Sequence, residues 1–211
     1  MLHVCLASTS PARLMLMRQV GIEPRLEAPD VDEDAVIAAL ERELSPAEHV
    51  LLLATHKADD VASRLAREGF EGIVIGGDSM FELDGHVYGK PHTPERATDR
   101  WRQMRGMTGT LHSGQSIIRI AGGQLTRADA VSQADVTFAS DVTDKEIAAY
   151  VATGEPLSVA GAFTVDSLGG AFIERVDGDP STVVGMSLST VRRLVRDLGI
   201  EWTSLWARPA S

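Results

Sequence analysis

The chain has 211 residues, 44% of them hydrophobic, enough to bury a sizeable core in one domain, and a formal net charge of −10. That charge excludes a general nucleic-acid binder, which needs a basic face, but not the binding of a small polyanion by a few clustered cations. No apolar run reaches membrane-spanning length and Met1-Leu2-His3 lacks a basic signal-peptide start, so a cytoplasmic protein with no membrane partner is expected.

Val4-Cys5-Leu6 reads as a first strand. Its cysteine, the sole one in the chain, reads as a small buried thiol with no intrachain disulfide partner. Ala7 to Ser10 forms a hydroxyl-rich turn, and a helix begins at Pro11. Ser10 suits the N-cap, and proline suits the first helical position because its missing N–H would have had no partner there. The free N–H groups and positive dipole end at such a turn suit a phosphate, with Ser8 and Ser10 at hand. Arg13 adds a planar cation able to hold phosphate through two parallel hydrogen bonds. Gly21 is placed to stop this helix.

The acidic run Val31-Asp32-Glu33-Asp34 reads as a solvated face or a helix start. Ser45-Pro46-Ala47-Glu48 is a capping-box pattern that opens a long helix reaching about Gly69. Lys57 lies on that helix, where a lysine is ordinarily a surface residue. Ile73-Val74-Ile75 predicts a buried strand that ends at Asp78, a carboxylate whose burial is costly unless a metal, a cation or hydrogen bonds compensate. Gly76 and Gly77 leave room for close approach. Leu83-Asp84-Gly85-His86 reads as a hairpin turn that returns Lys90 toward Asp78.

A further helix starts near Thr93-Pro94 and carries Trp101 and Met104 at helical spacing. Residues 116–120 and 134–138 read as strands around Gly122-Gly123, a hairpin; His112 reads as a hydrogen-bonded structural histidine. Thr143-Asp144-Lys145-Glu146 is a second capping box, opening a helix that stops at Gly154. A strand at 172–176 and an amphipathic helix at 188–198 complete the chain. With no linker and no repeat, this alternation predicts an α/β fold in which helices cover both faces of a mixed sheet.

Several familiar sites are absent. Gly85-His86-Val87-Tyr88-Gly89-Lys90-Pro91 is one residue short of a P-loop, and Pro91 replaces the hydroxyl residue. No serine sits in a nucleophile elbow, and one cysteine with scattered histidines does not make a zinc site.

The pieces Leu6-Ala7-Ser8 to Arg13, Val31-Asp32-Glu33, Lys57-Ala58, Gly77-Asp78-Ser79 and Gly89-Lys90-Pro91 share an order with a known family. So do Met107-Thr108-Gly109, Leu111-His112-Ser113-Gly114, Gly154-Glu155-Pro156, Ala160-Gly161-Ala162-Phe163 and Val183-Val184-Gly185. With these the sequence resembles the Maf family of nucleotide pyrophosphatases over nearly its whole length. The resemblance implies a single domain over 1–211 with an elongated mixed sheet, a Maf/ITPase-like fold of two lobes with a nucleotide cleft between them. It implies hydrolysis of nucleoside triphosphates to monophosphate and pyrophosphate with a divalent metal, and it allows a homodimer. Asp78, Glu33, Lys57 and Lys90 become catalytic candidates, with Ser8, Ser10, Arg13, Ser79 and Asp166 binding substrate. Hard oxygens from Asp78 and Glu33, with substrate phosphates, fit Mg²⁺ or Mn²⁺ better than His86 and His92 would. Asp78 is then either the general base or a holder of the metal.

Three positions depart from the better-defined subgroups: Ala12 where they carry arginine or tryptophan, Ser79 where threonine is common, and Asp166 in the place of a frequent glutamine. The preferred base therefore stays open, with Asp166 favouring one that presents an N–H or amino donor. The alternative function is a non-catalytic, nucleotide-binding regulator of cell division.

Overall fold

The computed structural model describes residues 2–207. Its strands form one seven-stranded mixed sheet, and the chain divides into two compact units by internal contacts.

The first unit takes residues 1–78, 113–132 and 185–211. Strand β1 (His3–Ala7) runs parallel to β2 (Arg25–Glu27) and to β3 (Gly72–Leu83). Parallel neighbours need crossovers. Helix α1 (Pro11–Gln19) supplies the first, while α2 (Glu33–Ala38) and α3 (Pro46–Arg67) lie in the second. Both halves of the α3 capping box form: Ser45 Oγ accepts from the Glu48 N–H, and the Glu48 carboxylate accepts from the Ser45 N–H. The buried positions of α3 recur every three or four residues, from Val50 through Leu53, Ala54, Lys57, Ala58, Val61 and Ala62 to Leu65. Ala58, Val61, Ala62 and Leu65 pack on Cys5, Ala7, Val74, Ile118 and Ile120. Burial and the nearby Glu27 carboxylate push the Cys5 thiol up to about 12, so it is inert packing.

Two glycines set how close α3 comes to the sheet. A Cβ on Gly76 would lie 2.4 Å from the Ala54 carbonyl oxygen, and one on Gly114 would lie 2.3 Å from that of Val50. Any side chain there would push the helix outward. Asp78, two residues after Gly76, shares the α3-facing side of β3.

The second unit takes residues 79–112 and 133–184. It holds the end of β3, its hairpin partner β4 (His86–Tyr88), and α4 (Pro94–Met104). The long strands β5 (Thr108–Ala121) and β6 (Gln124–Phe138) contribute one segment each. Then come α5 (Asp144–Ala152), β7 (Ile173–Gly178), paired antiparallel with β6, and α6 (Pro180–Val184). Helix α7 (Leu188–Asp197) returns to the first unit. The core of the second unit is aromatic. Phe138 and Phe163 meet edge to face at 4.9 Å, Phe81 and Phe163 at 5.1 Å, and Trp101 and Tyr150 at 5.4 Å.

The strand order is β2-β1-β3-β5-β6-β7, with β4 on β3. The expected mixed α/β architecture is therefore present, with differences in extent. Strand β3 does not end at Asp78 but continues to Leu83, because Phe81 and Leu83 alternate inward into the aromatic core. The β5–β6 hairpin has arms of 14 and 15 residues, far longer than its most apolar segments. Short 3-10 turns occupy much of 155–172, where Pro156, Gly161, Gly169 and Gly170 deny regular helix. Among the described residues, no helix is long and apolar enough to cross a membrane.

Candidate functional site

The turn after β1 is built from its own hydroxyls. Ser8 Oγ accepts from the Ser10 N–H at 3.1 Å, and Ser10 Oγ caps α1 by accepting from the Arg13 N–H at 3.4 Å. The Arg13 side chain folds back over the turn and is buried. Its Nη1 donates to Ser8 Oγ at 3.2 Å and its Nε to the Gly185 carbonyl at 2.9 Å. Gly77 makes this possible, since a Cβ there would sit 3.2 Å from Arg13 Nε. Burial pushes the Arg13 guanidinium below its ordinary value, while the carboxylates of Asp78 and Glu33 pull it back up. An arginine stays charged through such a shift, so a cation is fixed beside the turn.

Lys57 is the centre of a second feature. It occupies a core-facing position of α3, its side chain only 10% exposed, and its Nζ lies 2.7 Å from Asp78 Oδ1 and 2.8 Å from Glu33 Oε1. Asp78 is itself 14% exposed, whereas Glu33, at the first turn of α2, is 49% exposed. Glu33 is thus both a helix start, capped by Asp32 Oδ1 accepting from the Ala35 N–H, and an ion-pair partner. A helix lysine is ordinarily a surface residue, while the resemblance made Lys57 a catalytic candidate; the structure buries it. The signal was available, because Lys57 falls in register with the apolar stripe of its own helix.

Ser8, Ser10, Arg13, Glu33, Lys57 and Asp78 all belong to the first unit, and within it the structure brings Glu33, Lys57 and Asp78 together. Lys90, Ser79 and Asp166 belong to the second. Lys90 is exposed just after β4, in a loop held by Arg100, which donates to the Gly89 carbonyl and stacks on the Tyr88 ring at 4.9 Å. Asp166 is exposed on the irregular segment after Phe163. His112 is buried and structural, as expected, with Nε2 2.8 Å from Glu82 Oε2 and Nδ1 3.0 Å from Gln133 Nε2.

Sequence reasoning missed Glu155 as an individual residue. Its carboxylate accepts from Tyr150 Oη at 2.9 Å, Thr164 Oγ1 at 2.5 Å, Ser167 Oγ at 2.7 Å and the Gly169 N–H at 3.2 Å. Desolvation pushes this group up, but the donated hydrogen bonds outweigh it and hold the carboxyl down at about 2. Its only sequence cue was a carboxylate between Gly154 and Pro156.

The family model for Maf-like proteins matches residues 3–198. The chain belongs to the Maf-like family. It is 58% identical over 211 residues to the nucleoside triphosphate pyrophosphatase of Leifsonia xyli, covering 98% of each chain. Proteins of the same name from Rhodococcus jostii and Salinispora tropica are 48% and 47% identical. They cover 96% and 100% of this chain and 95% and 90% of their own. A HAM1 protein from Coxiella burnetii aligns over 93% of this chain and 100% of its own, with 13% identity and a TM-score of 0.43, too slight a likeness to carry an argument.

Proposed function

We propose that this Maf-like protein is a hydrolase that splits nucleoside triphosphates into monophosphate and pyrophosphate, as the names of its full-length relatives indicate. The observation that carries the reading within the structure is Lys57 bracketed by Asp78 and Glu33. Lys57 and Asp78 are largely buried. Because the cost of taking two charges out of water offsets much of their attraction, stability alone is a weak reason for such a pair and a ligand is a better one.

Asp78 and Glu33 also fit a divalent cation. Their oxygens converge on one positive group, and Mg²⁺ or Mn²⁺ is commonly held by one or two carboxylates with substrate phosphates completing the shell. Among the described residues there is no group of three or more His, Cys, Asp or Glu side chains placed to hold a metal ion. Bound there, the ion would make a water more acidic and neutralise phosphate charge.

The chain's own groups would act as follows. Asp78 takes a proton from the water whose oxygen bonds to the α-phosphorus, and the bond from that phosphorus to the α,β-bridging oxygen breaks. Pyrophosphate leaves with that electron pair. Arg13 and Lys57 oppose the charge that gathers on the phosphates, and Ser8 and Ser10 hold phosphate oxygens. Lys90 is assigned to phosphate, Ser79 to substrate and Asp166 to the base, within one Maf-like domain.

Product analysis tests the proposal. Monophosphate plus pyrophosphate is expected, with turnover abolished by a chelator and restored by Mg²⁺ or Mn²⁺. Diphosphate plus orthophosphate would mean attack at the γ-phosphorus and a wrong mechanism. Tight nucleotide binding with no turnover would leave the non-catalytic regulator.

A further inference from the structure

The segment that carries Asp166 is irregular but fixed at both ends. At its start Trp101 Nε1 donates to the Ala162 carbonyl at 2.7 Å, deep in the aromatic core. Gly161 and Ala162 both adopt positive φ, +73° and +65°, and Ala162 is fully buried. A non-glycine residue holds that conformation only where its surroundings over-determine it, which is characteristic of ligand clamps. Downstream, one carboxylate gathers the chain. Glu155 Oε1 receives Tyr150 Oη, Thr164 Oγ1 and the Gly169 N–H, while Oε2 receives Ser167 Oγ and, at 3.4 Å, the Leu168 N–H. Gly169 is required by this closure, since a Cβ there would lie 2.6 Å from Tyr150 Oη and 2.7 Å from the Thr164 carbonyl oxygen.

Donors to Glu155 therefore come from positions 164, 167, 168 and 169, on both sides of Asp166. Asp166 itself stays exposed, as does Leu168 at 57%. The result is a tight loop in which a charged acceptor spends its capacity on the protein while a different carboxylate, Asp166, stays at the surface.

We propose that Glu155 is a positioning residue for base selection, holding the 164–169 loop in the one shape that presents Asp166 to the nucleobase. This rests on the reading above in which Asp166 faces the base. Glu155 touches no substrate; its effect passes through the loop. It should therefore change discrimination between bases and leave polyphosphate recognition alone.

The test measures affinities by calorimetry in the full chain. The ligands are α,β-methylene triphosphates carrying different bases, and inorganic tripolyphosphate, which has none. In Glu155→Gln the oxygen that remains cannot satisfy donors on both sides, and the new NH₂ faces hydroxyl and amide donors. Loss of charge-assisted hydrogen bonds of this kind should weaken the best-bound base about tenfold or more and flatten the ranking. Tripolyphosphate affinity should change less than about twofold, a shift too small for a lost charged contact. Ser167→Ala, an exposed site whose loss leaves the fold intact, should move the ranking the same way by a smaller factor. Asp166→Gln is the control on the underlying reading.

An equal loss for tripolyphosphate and for every nucleotide in Glu155→Gln would make Glu155 merely structural and overturn the proposal. An Asp166→Gln ranking that shifts while Glu155→Gln and Ser167→Ala keep theirs would overturn it and leave Asp166 as the base reader. A shift in Glu155→Gln and Ser167→Ala but not in Asp166→Gln would overturn the proposal, since the loop would then act on the base without Asp166. A wild-type protein that binds these ligands yet turns over no triphosphate would sink the enzymatic reading without touching this comparison.

Discussion

Asp78 in the first unit and Glu155 in the second are both carboxylates held in place by hydrogen bonds, yet they are held by different kinds of partner. Asp78 is met by a lysine ammonium that it shares with Glu33. Glu155 is met by hydroxyl and amide donors from its own loop and from Tyr150. A lysine can turn to an incoming phosphate and still be paired, so the first arrangement is exchangeable. The second is saturated, and giving up any donor would open the loop. The two units differ in the same sense in their packing. Around Asp78, Gly76, Gly114 and the small residues Ala54 and Ala58 let a helix press on the sheet, whereas Glu155 stands beside a core of Trp101, Phe138, Tyr150 and Phe163.

The comparison breaks most readily at Asp78. Asp78→Asn keeps the shape and removes the charge, so turnover should fall about 10²–10⁴-fold in a chain that still folds. Some loss of melting temperature is expected, because the buried Lys57 ammonium keeps only Glu33. Near-normal turnover in the folded variant would move the role to Glu33. Next come the two cations assigned to phosphate. Arg13→Ala and Lys90→Ala should each lower kcat/KM roughly 10–150-fold, the worth of a charge-assisted contact at about 1.5–3 kcal/mol. They should differ in stability, because Arg13 is buried and bonded to Ser8 and Gly185 whereas Lys90 is exposed. Thermal melts should therefore show a loss for Arg13→Ala alone. A loss of kcat/KM below about threefold in both would return them to ordinary structural roles.

Gly76→Ala sharpens the packing side. The added methyl would collide with the Ala54 carbonyl and with Ala58, so unfolding by denaturant should show a loss of about 1–3 kcal/mol. Turnover should fall with it, since Lys57 rides on the displaced helix. The pH response separates the two carboxylates further. Glu155 sits at about 2 in the folded chain, below the ordinary glutamate value near 4.3. Its contribution to stability is fully present above the ordinary value and is lost as pH falls toward about 2. Melting temperature measured from pH 6 to pH 2.5 should converge for wild type and Glu155→Gln at the acid end; a constant gap would contradict the depressed value. The smallest effect is expected for Asp166→Gln, which should reorder a panel of natural and modified triphosphates more than it changes the overall rate.

Much of this molecule is legible in its sequence, and the legible parts share a cause. The N-caps at Ser10, Ser45 and Thr143 depend on hydrogen bonds within four residues, and all three form. The Asp84-Gly85 turn is equally local, and β4 pairs back on β3 as expected. Where the reading fell short, the deciding contacts are distant in sequence. Strand β3 runs past Asp78 because Phe81 finds Phe138 and Phe163, more than 50 residues away. Lys57 is buried because its counter-charges arrive from two other elements, although its place on the apolar stripe could have been read. Glu155 gathers a segment with no period at all, and no pattern rule announces a residue whose purpose is to hold a loop. Of the candidate site, Glu33, Lys57 and Asp78 were named from the resemblance, and the structure adds that the two carboxylates share the Lys57 ammonium.

Gly185 accepts a hydrogen bond from Arg13 Nε and another from Ser113 Oγ, and so closes the first unit with three widely separated stretches of chain. For a polypeptide made from its N-terminus onward, this has a consequence in time. Every residue of the second unit is synthesised before the first unit has all its parts, although the first unit holds the beginning of the chain. The turn after β1 is translated before the second unit and is completed after it. A nascent chain halted between residues 13 and 185 carries Arg13 without this acceptor, so the turn after β1 is completed only after the whole second unit has been made.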